Sequence, residues 1–321
     1  MDRLIATLRA AGEPTRLRIL ALLGRGELTV SEIVQILGQS QPRVSRHIKL
    51  LSEAGLVHRI PEGAWVFYRL SDADSPSRRL VDAVTANLPE EDAVLRRDLE
   101  RLEMVKAHRA ENADRYFEQV ADDWDRIRAL HLSEDAVEDA MRALTGNRNF
   151  NYMVDIGTGT GRVLELFASQ IKRGVGVDIN RDMLSVARAN LSRAEAGHVS
   201  IQQADLYALP FEDNSADLVT IHQVLHYLYD PGHALTEAAR VMTPGGILLI
   251  VDFAPHQLEF LRTEHQHRRL GFSDQEISEW SKAAGLIPMK KKSLRPTGSG
   301  ERLTVKLWTF KASADAEMET A

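Results

Sequence analysis

A short apolar run that ends in three closely spaced glycines limits this chain's fold more than any other stretch. Met153-Val154-Asp155-Ile156 reads as a buried strand. It passes at once into Gly157-Thr158-Gly159-Thr160-Gly161-Arg162 and a helical stretch through Val163, Leu164, Leu166 and Phe167. Glycines at a strand-to-helix turn free the backbone for positive φ and let a ligand approach it closely. From about residue 150, strand-like runs alternate with helical stretches, the pattern of a parallel sheet covered by helices. Val175-Gly176-Val177 ends in Asp178, 17 residues beyond Gly161, and Val199–Gln203 leads to Ala204-Asp205-Leu206. Leu218–Ile221 runs into His222-Gln223-Val224-Leu225-His226-Tyr227, and Arg240–Gly246 turns into Ile247–Val251. Acids after the second and third strands would stand beside one crevice, where Asp178 offers two acceptor oxygens to ribose hydroxyls.

Two nucleotide chemistries compete for such a turn. The dinucleotide fingerprint needs G-x-G-x-x-G, but here Gly161 comes one residue early, Arg162 fills the last position, and no second half-fold for a nicotinamide is evident. A nicotinamide dehydrogenase is therefore disfavoured. The G-x-G-x-G spacing, with acids after strands two and three, resembles the class I methyltransferases that use S-adenosylmethionine (SAM), over about residues 110–310. That resemblance implies a Rossmann-like α/β domain with a mostly parallel seven-stranded sheet, and SAM or S-adenosylhomocysteine (SAH) as ligand. It also implies Asp155, Gly157, Thr158, Gly159 and Gly161 around the methionine part and the turn. Asp178, with Ile179 beside it, would hold the ribose; Asp205 and Leu206 would flank the adenine; His222 would line the reactive side. Tyr116-Phe117 through Ala121, Trp124-Asp125 and Arg128 look like the lid helix of ubiquinone-biosynthesis-like small-molecule methyltransferases.

Methyl transfer from a sulfonium is an in-line displacement, helped mainly by proximity, orientation and exclusion of water. A general base is needed only where the acceptor must lose a proton. His222, His226 and Tyr227 are the candidates by position; equally, they could shape the pocket or cap the helix after the fourth strand. His131 and the His265/His267 pair read as surface or packing residues, and no metal site is expected.

The N-terminal part follows a different pattern. Arg16–Leu23 forms a short core helix stopped by Gly24-Arg25-Gly26, and Thr29-Val30-Ser31-Glu32 opens a second helix that ends at Gly38. A third starts with Ser40 as N-cap and Pro42 in its first turn. Val44, Ile48 and Leu51 share its buried face, so Pro42, Ser45, Arg46 and Lys49 point outward with Gln41 and Arg43 flanking. Leu56–Ile60 alternates into a strand, Pro61–Ala64 supplies a turn, and Trp65–Leu70 returns. Helix, turn, basic helix and hairpin make an α+β winged helix-turn-helix. A lone basic helix reads as well as a solvated surface. Here Arg43, Arg46, His47, Lys49, His58 and Arg59 face only one acid, Glu53, between residues 40 and 60, which points to DNA.

The stretches Glu13–Leu20, Ser40–Leu51 and Glu53–Val57 resemble the ArsR/SmtB repressors, over roughly the first 90 residues. The resemblance implies a homodimer on an inverted repeat of double-stranded DNA. Gln41, Arg43, Ser45 and Arg46 would lie near base edges, and Lys49 and wing residues such as Arg59 near phosphates. The metal sensors of that family carry cysteines where this chain has Thr29 and Ser31, and no histidine lies between His58 and His108. Metal sensing is not expected.

Charge and cysteine count narrow the choice further. Residues 1–70 carry ten Lys/Arg against six Asp/Glu, a net +4, which leaves −10 of the chain's −6 for residues 71–321. The split suggests that only the head meets phosphate, while the body suits a cationic nucleoside. The absence of cysteine removes cytosine-C5 methylation and arsenite methylation as well as thiolate metal sites. The Asn/Asp-Pro-Pro-aromatic turn of adenine-amino methylases is replaced by His222-Gln223-Val224-Leu225. No apolar run reaches the ~20 residues of a membrane span, and no signal-peptide core precedes Glu13, so the expected location is the cytoplasm.

The organisation expected is a DNA-binding and dimerisation domain over 1–90 and a helical linker over 91–115. A methyltransferase-like domain over 116–311 and a disordered tail over 312–321 follow. Leu95, Leu99 and Leu102 would form the linker helix's apolar stripe. Two functions fit: a repressor whose second domain senses SAM or SAH, or an active methyltransferase of a small-molecule acceptor that regulates its own operon.

Overall fold

The computed structural model describes the chain except residues 63–64, 72–74, 90, 131–133, 147, 195, 296–302 and 314–321, and the side chains of 2–3 and 113–130. Two compact units divide it, Met1–Asp114 with Arg188–Gln202 and Arg115–Ala187 with Gln203–Ala321.

The first unit contains α1 (Asp2–Ala11), α2 (Pro14–Leu23), β1 (Leu28–Thr29), α3 (Val30–Leu37) and α4 (Gln41–Glu53). Then come β2 (Val57–Glu62), β3 (Trp65–Leu70), α5 (Pro76–Thr85) and the start of α6 (Ala93–Leu130). Local chemistry sets the boundaries. Glu13 caps α2 by accepting the Arg16 amide at 2.9 Å, with Pro14 in the first turn. Thr29 and Glu32 close a reciprocal capping box on α3, and Gly38 ends that helix at φ 65°, where a β-carbon would be strained. Ile19, Leu20, Ile33, Ile36, Val44, Ile48, Leu51 and Leu56 fill the core. Each such side chain contributes about 1.5–3 kcal/mol through burial.

The hairpin differs in detail from the sequence reading. β2 runs through Pro61 and Glu62, and a short β1, not foreseen, pairs with β3 to give the order β1-β3-β2. Pro61 is tolerated because β2 is an edge strand, so a missing amide breaks no inner ladder. Gly63 and Ala64 of the expected turn lie outside the described residues.

The apolar stripe expected on α6 is only partly correct. Leu102 is buried and Leu95 half-buried, but Leu99 is 39% exposed; the buried face passes through Asp98, Leu102 and Val105. Asp98 sits there because Arg18 meets it with two hydrogen bonds, 2.6 Å and 2.7 Å. A bidentate guanidinium offsets the cost of burying a carboxylate, a possibility invisible to a count of apolar positions. Further along α6, Arg101 donates to the Ile36 carbonyl at 2.9 Å, and Arg109 holds Glu32 at 2.8 Å and 2.6 Å.

The second fold is built from α7 (Glu134–Thr145), β4 (Phe150–Ile156), α8 (Arg162–Phe167), β5 (Ile171–Asp178), α9 (Arg181–Arg193) and β6 (Val199–Gln203). It continues with β7 (Ala216–His222), α10 (Pro231–Val241), β8 (Met242–Phe253), α11 (Phe260–His265), α12 (Asp274–Ala283), β9 (Leu286–Leu294) and β10 (Val305–Ala312). The seven strands lie in the order β6-β5-β4-β7-β8-β10-β9. β4 is parallel to β5 and β7, and β7 to β8, whereas β10 runs antiparallel to both β8 and β9. The sheet is therefore the mostly parallel Rossmann-like one. Strands covered on both faces need continuous apolar sequence, which is why Val154, Ile156, Val219, Ile221 and Leu248–Val251 are all buried. The chain winds outward from β4 to β6, then returns to β7 on the other side, and this reversal opens a crevice at the carboxyl ends of β4, β5 and β7. β10 includes Ala312, and residues 314–321 lie outside the described residues. No helix among the described residues is long and apolar enough to cross a membrane.

Candidate functional site

In the first unit α4 has two sharply different faces. Val44, Ile48 and Leu51 are buried, while Gln41, Arg43, Ser45, Arg46 and Lys49 are exposed, as is Arg59 on β2. His47 needs correction as a member of the basic cluster. Its ring is largely covered and Nδ1 stands 3.4 Å from the Glu13 carboxylate at the start of α2, so it faces the protein rather than solvent.

In the second unit the crevice begins at the glycine turn. Gly157, Gly159 and Gly161 take φ of 71°, 51° and 80°. A β-carbon on Gly157 would lie 2.3 Å from a Val224 methyl, so packing as well as φ demands glycine there. One on Gly159 would meet nothing within 4 Å, so the backbone faces open space. Asp178 braces the turn: Oδ2 accepts the Gly159 amide at 3.0 Å and Oδ1 the Asn180 amide at 2.9 Å. Ile179, next in the chain, is 67% exposed, an apolar side chain with no packing role of its own. Asp205, exposed, accepts the Tyr207 amide at 3.0 Å; Leu206 and Thr158 are buried, Leu206 in the core. Arg162, which breaks the dinucleotide spacing, forks onto Glu138 of α7 at 2.6 Å and 2.9 Å.

Asp155 is buried at the end of β4. Thr220 donates to its Oδ1 at 2.5 Å. Burial outweighs the Thr220 and Thr158 hydroxyls and raises its pKa from 3.8 to about 6. Between those values the unfolded chain has lost the proton and the folded chain keeps it, so stability falls as pH rises through that window. The cumulative loss above pH 6 is about 3 kcal/mol. Asp155→Asn is expected to flatten the pH 4–6 stretch of a urea-unfolding profile; an unchanged slope would assign it to another group.

Past β7 the three sequence candidates separate. His226 is buried, and its Nδ1 lies 2.8 Å from Oδ1 of Asp252, itself fully buried at the end of β8. His267 stacks on His226 at 4.1 Å between ring centroids, and Tyr227 tilts against it at 4.2 Å. His267 is thus buried against the candidate site, as a packing residue. Tyr227 is 44% exposed, and its partial burial together with the Asp252 carboxylate raises its pKa. His222 is held neutral by burial, its pKa lowered to about 4. Gln223 between them takes φ 54°, an uncommon conformation for a residue other than glycine. Asp252 was not singled out in the sequence, although a charged residue directly after the apolar run Ile247–Val251 was the available signal. His131 lies outside the described residues, as do the side chains of Tyr116, Phe117, Ala121, Trp124, Asp125 and Arg128.

Comparison with known proteins agrees with both halves. Residues 13–59 match the family model described as bacterial regulatory protein, arsR family, and residues 154–250 match the methyltransferase domain model. The chain thus carries an arsR-family helix-turn-helix domain followed by a methyltransferase domain. It is similar to the ubiquinone/menaquinone biosynthesis C-methyltransferase UbiE of Shewanella sp. (strain ANA-3), 38% identical over 123 residues, covering 37% of this chain and 49% of that protein. It is also similar to the uncharacterized methyltransferase YcgJ of Bacillus subtilis (strain 168), 34% identical over 104 residues, covering 32% and 41%. The crystal structure of YcgJ superposes with a TM-score of 0.48 at 21% identity, covering 56% of this chain and 99% of that one. The chain spans about half the length of the curated relatives it matches.

Proposed function

We propose that this chain is a cytoplasmic, homodimeric transcriptional repressor of the arsR type, and that its methyltransferase domain binds SAM or SAH as the signal. The carrying observation is α4, apolar and buried on one face, with Gln41, Arg43, Ser45, Arg46 and Lys49 open on the other. Such a face suits the major groove of an inverted repeat, with Arg59 on the wing at phosphate. Leu4, Ile5 and Leu8 are exposed on α1, an apolar stripe that favours a dimer.

The residues of the crevice fit a nucleoside sulfonium. Asp155 offers a buried carboxylate suited to a cationic amino group, and Gly159 leaves room beside the backbone. Asp178, with Ile179 beside it, would take the ribose hydroxyls, and Asp205 and Leu206 would flank the adenine. Titration of the protein's own promoter fragment with SAM and SAH separately, at fixed salt, tests the sensor. A coupling of ~1–3 kcal/mol would change affinity ~5–150-fold. Operator affinity indifferent to both ligands at saturation rules the sensor out.

The His226–Asp252 pair favours a second reading, methyl transfer to a small molecule. Bound SAM would supply an electrophilic methyl group. His222 and Tyr227 would border the acceptor, and Asp252 would hold His226 in the tautomer able to accept a proton. Tritiated methyl from SAM should then appear in a metabolite of cell extract; no transfer at any pH from 6 to 9 would remove this reading.

A further inference from the structure

The acidic charge of the body conceals a basic end. Residues 71–279 carry a net −14, whereas residues 280–313 carry eight Lys/Arg against the single acid Glu301, a net +7. These residues end α12 and form β9 and β10, the terminal pair of the sheet.

β9 is the outermost strand, hydrogen-bonded on one side only, and it is exposed without a break from Ile287 to Ser293. Its register slips opposite Thr309, whose hydroxyl bonds both the amide and the carbonyl of Lys290, at 3.1 Å and 3.0 Å. Lysine and a bulge on an edge strand are a common guard against pairing with other chains. That guard needs no cations beyond the strand, yet exposed Lys282, Arg295 and Lys311 extend the charge past it. Asp274 engages Lys291 at 2.6 Å and Lys306 at 2.8 Å. Lys282, Lys290, Lys292, Arg295 and Lys311 have no carboxylate within ion-pair distance among the described residues.

We propose that this edge, centred on Lys290 and Lys292, is a second DNA-contacting surface that binds phosphates of duplex DNA independently of base sequence. The proposal rests on the DNA-reading function above. A chain that holds duplex DNA through its head brings a polyanion to a body that otherwise repels it, and a focused run of free cations is its electrostatic complement.

The test is anisotropy titration of full-length protein on its promoter fragment across 50–300 mM KCl. Each phosphate contact contributes ~0.9 to the slope of log K against log salt, so Lys290→Gln/Lys292→Gln should lower that slope by about 2 per chain. The ratio of operator to scrambled-DNA affinity should hold, and Lys290→Arg/Lys292→Arg should restore the slope. Because both residues are exposed, the thermal midpoint should not move. An unchanged slope with an unchanged midpoint overturns the proposal. If a variant with Gln41, Arg43, Ser45 and Arg46 all replaced by alanine binds as tightly as wild type while the glutamine pair loses slope, the head reading fails and the edge stands. Absence of any DNA binding by the wild type overturns both.

Discussion

Arg46→Ala is expected to weaken operator binding ~5–150-fold, the effect of losing one base-edge contact worth ~1–3 kcal/mol, while affinity for scrambled DNA changes far less. The reason lies in where α4 puts the side chain. Arg46 is exposed between buried Val44 and Ile48, so it cannot serve the core. Lys49→Ala should instead weaken operator and scrambled DNA alike and lower the salt slope by ~1, as loss of a phosphate contact does. Glu53 approaches Lys49 only at 3.7 Å on an open surface and holds it weakly. His47→Ala supplies the internal contrast. Its ring faces Glu13 rather than solvent, so its cost should appear in thermal stability, with operator discrimination kept. If Arg46→Ala discriminated operator from scrambled DNA as well as wild type does, the recognition role would pass to Gln41, Arg43 and Ser45.

The head was legible because its signals are local. A capping box at Thr29–Glu32, a left-handed Gly38 and a helical apolar period each act within a few residues, so order in sequence gives order in space. β4, β5 and β8 were readable for the same reason, since each carries a short apolar run leading to an acid or a glycine. What escaped notice depends on partners distant in sequence. The partner of buried Asp98 on α6 is Arg18, 80 residues away. His226 and Asp252 lie 26 residues apart, and His267 farther still; only the fold joins them. The two-residue β1 carries no period at all. The charge split is an average: −10 over the whole body contains a +7 stretch over residues 280–313. Net charge is a sum, whereas phosphate responds to the local field.

The glycine turn offers the most direct separation of fold from ligand. Gly157→Ala is expected to destabilise the second unit by about 2–4 kcal/mol, combining a strained positive φ with overpacking. The added carbon would meet Val224 Cγ2 at 2.3 Å and Cγ1 at 2.8 Å, so one methyl or the strand end must move. Val224→Ala in the same chain should recover part of the loss, and the double-mutant cycle should show coupling of opposite sign to the single costs. Gly159→Ala has the same kind of φ, 51°, but no neighbour within 4 Å, so about 1–2 kcal/mol is expected. The larger Gly159→Asp should leave a folded protein that binds SAH more than tenfold more weakly, because its side chain occupies the open space and adds a second carboxylate beside Asp178. Urea unfolding reads the first effect and calorimetry with SAH the second. If Gly159→Asp folds and binds SAH with wild-type affinity, the ligand does not sit at this turn. The sensing and methyl-transfer readings would then both need another site.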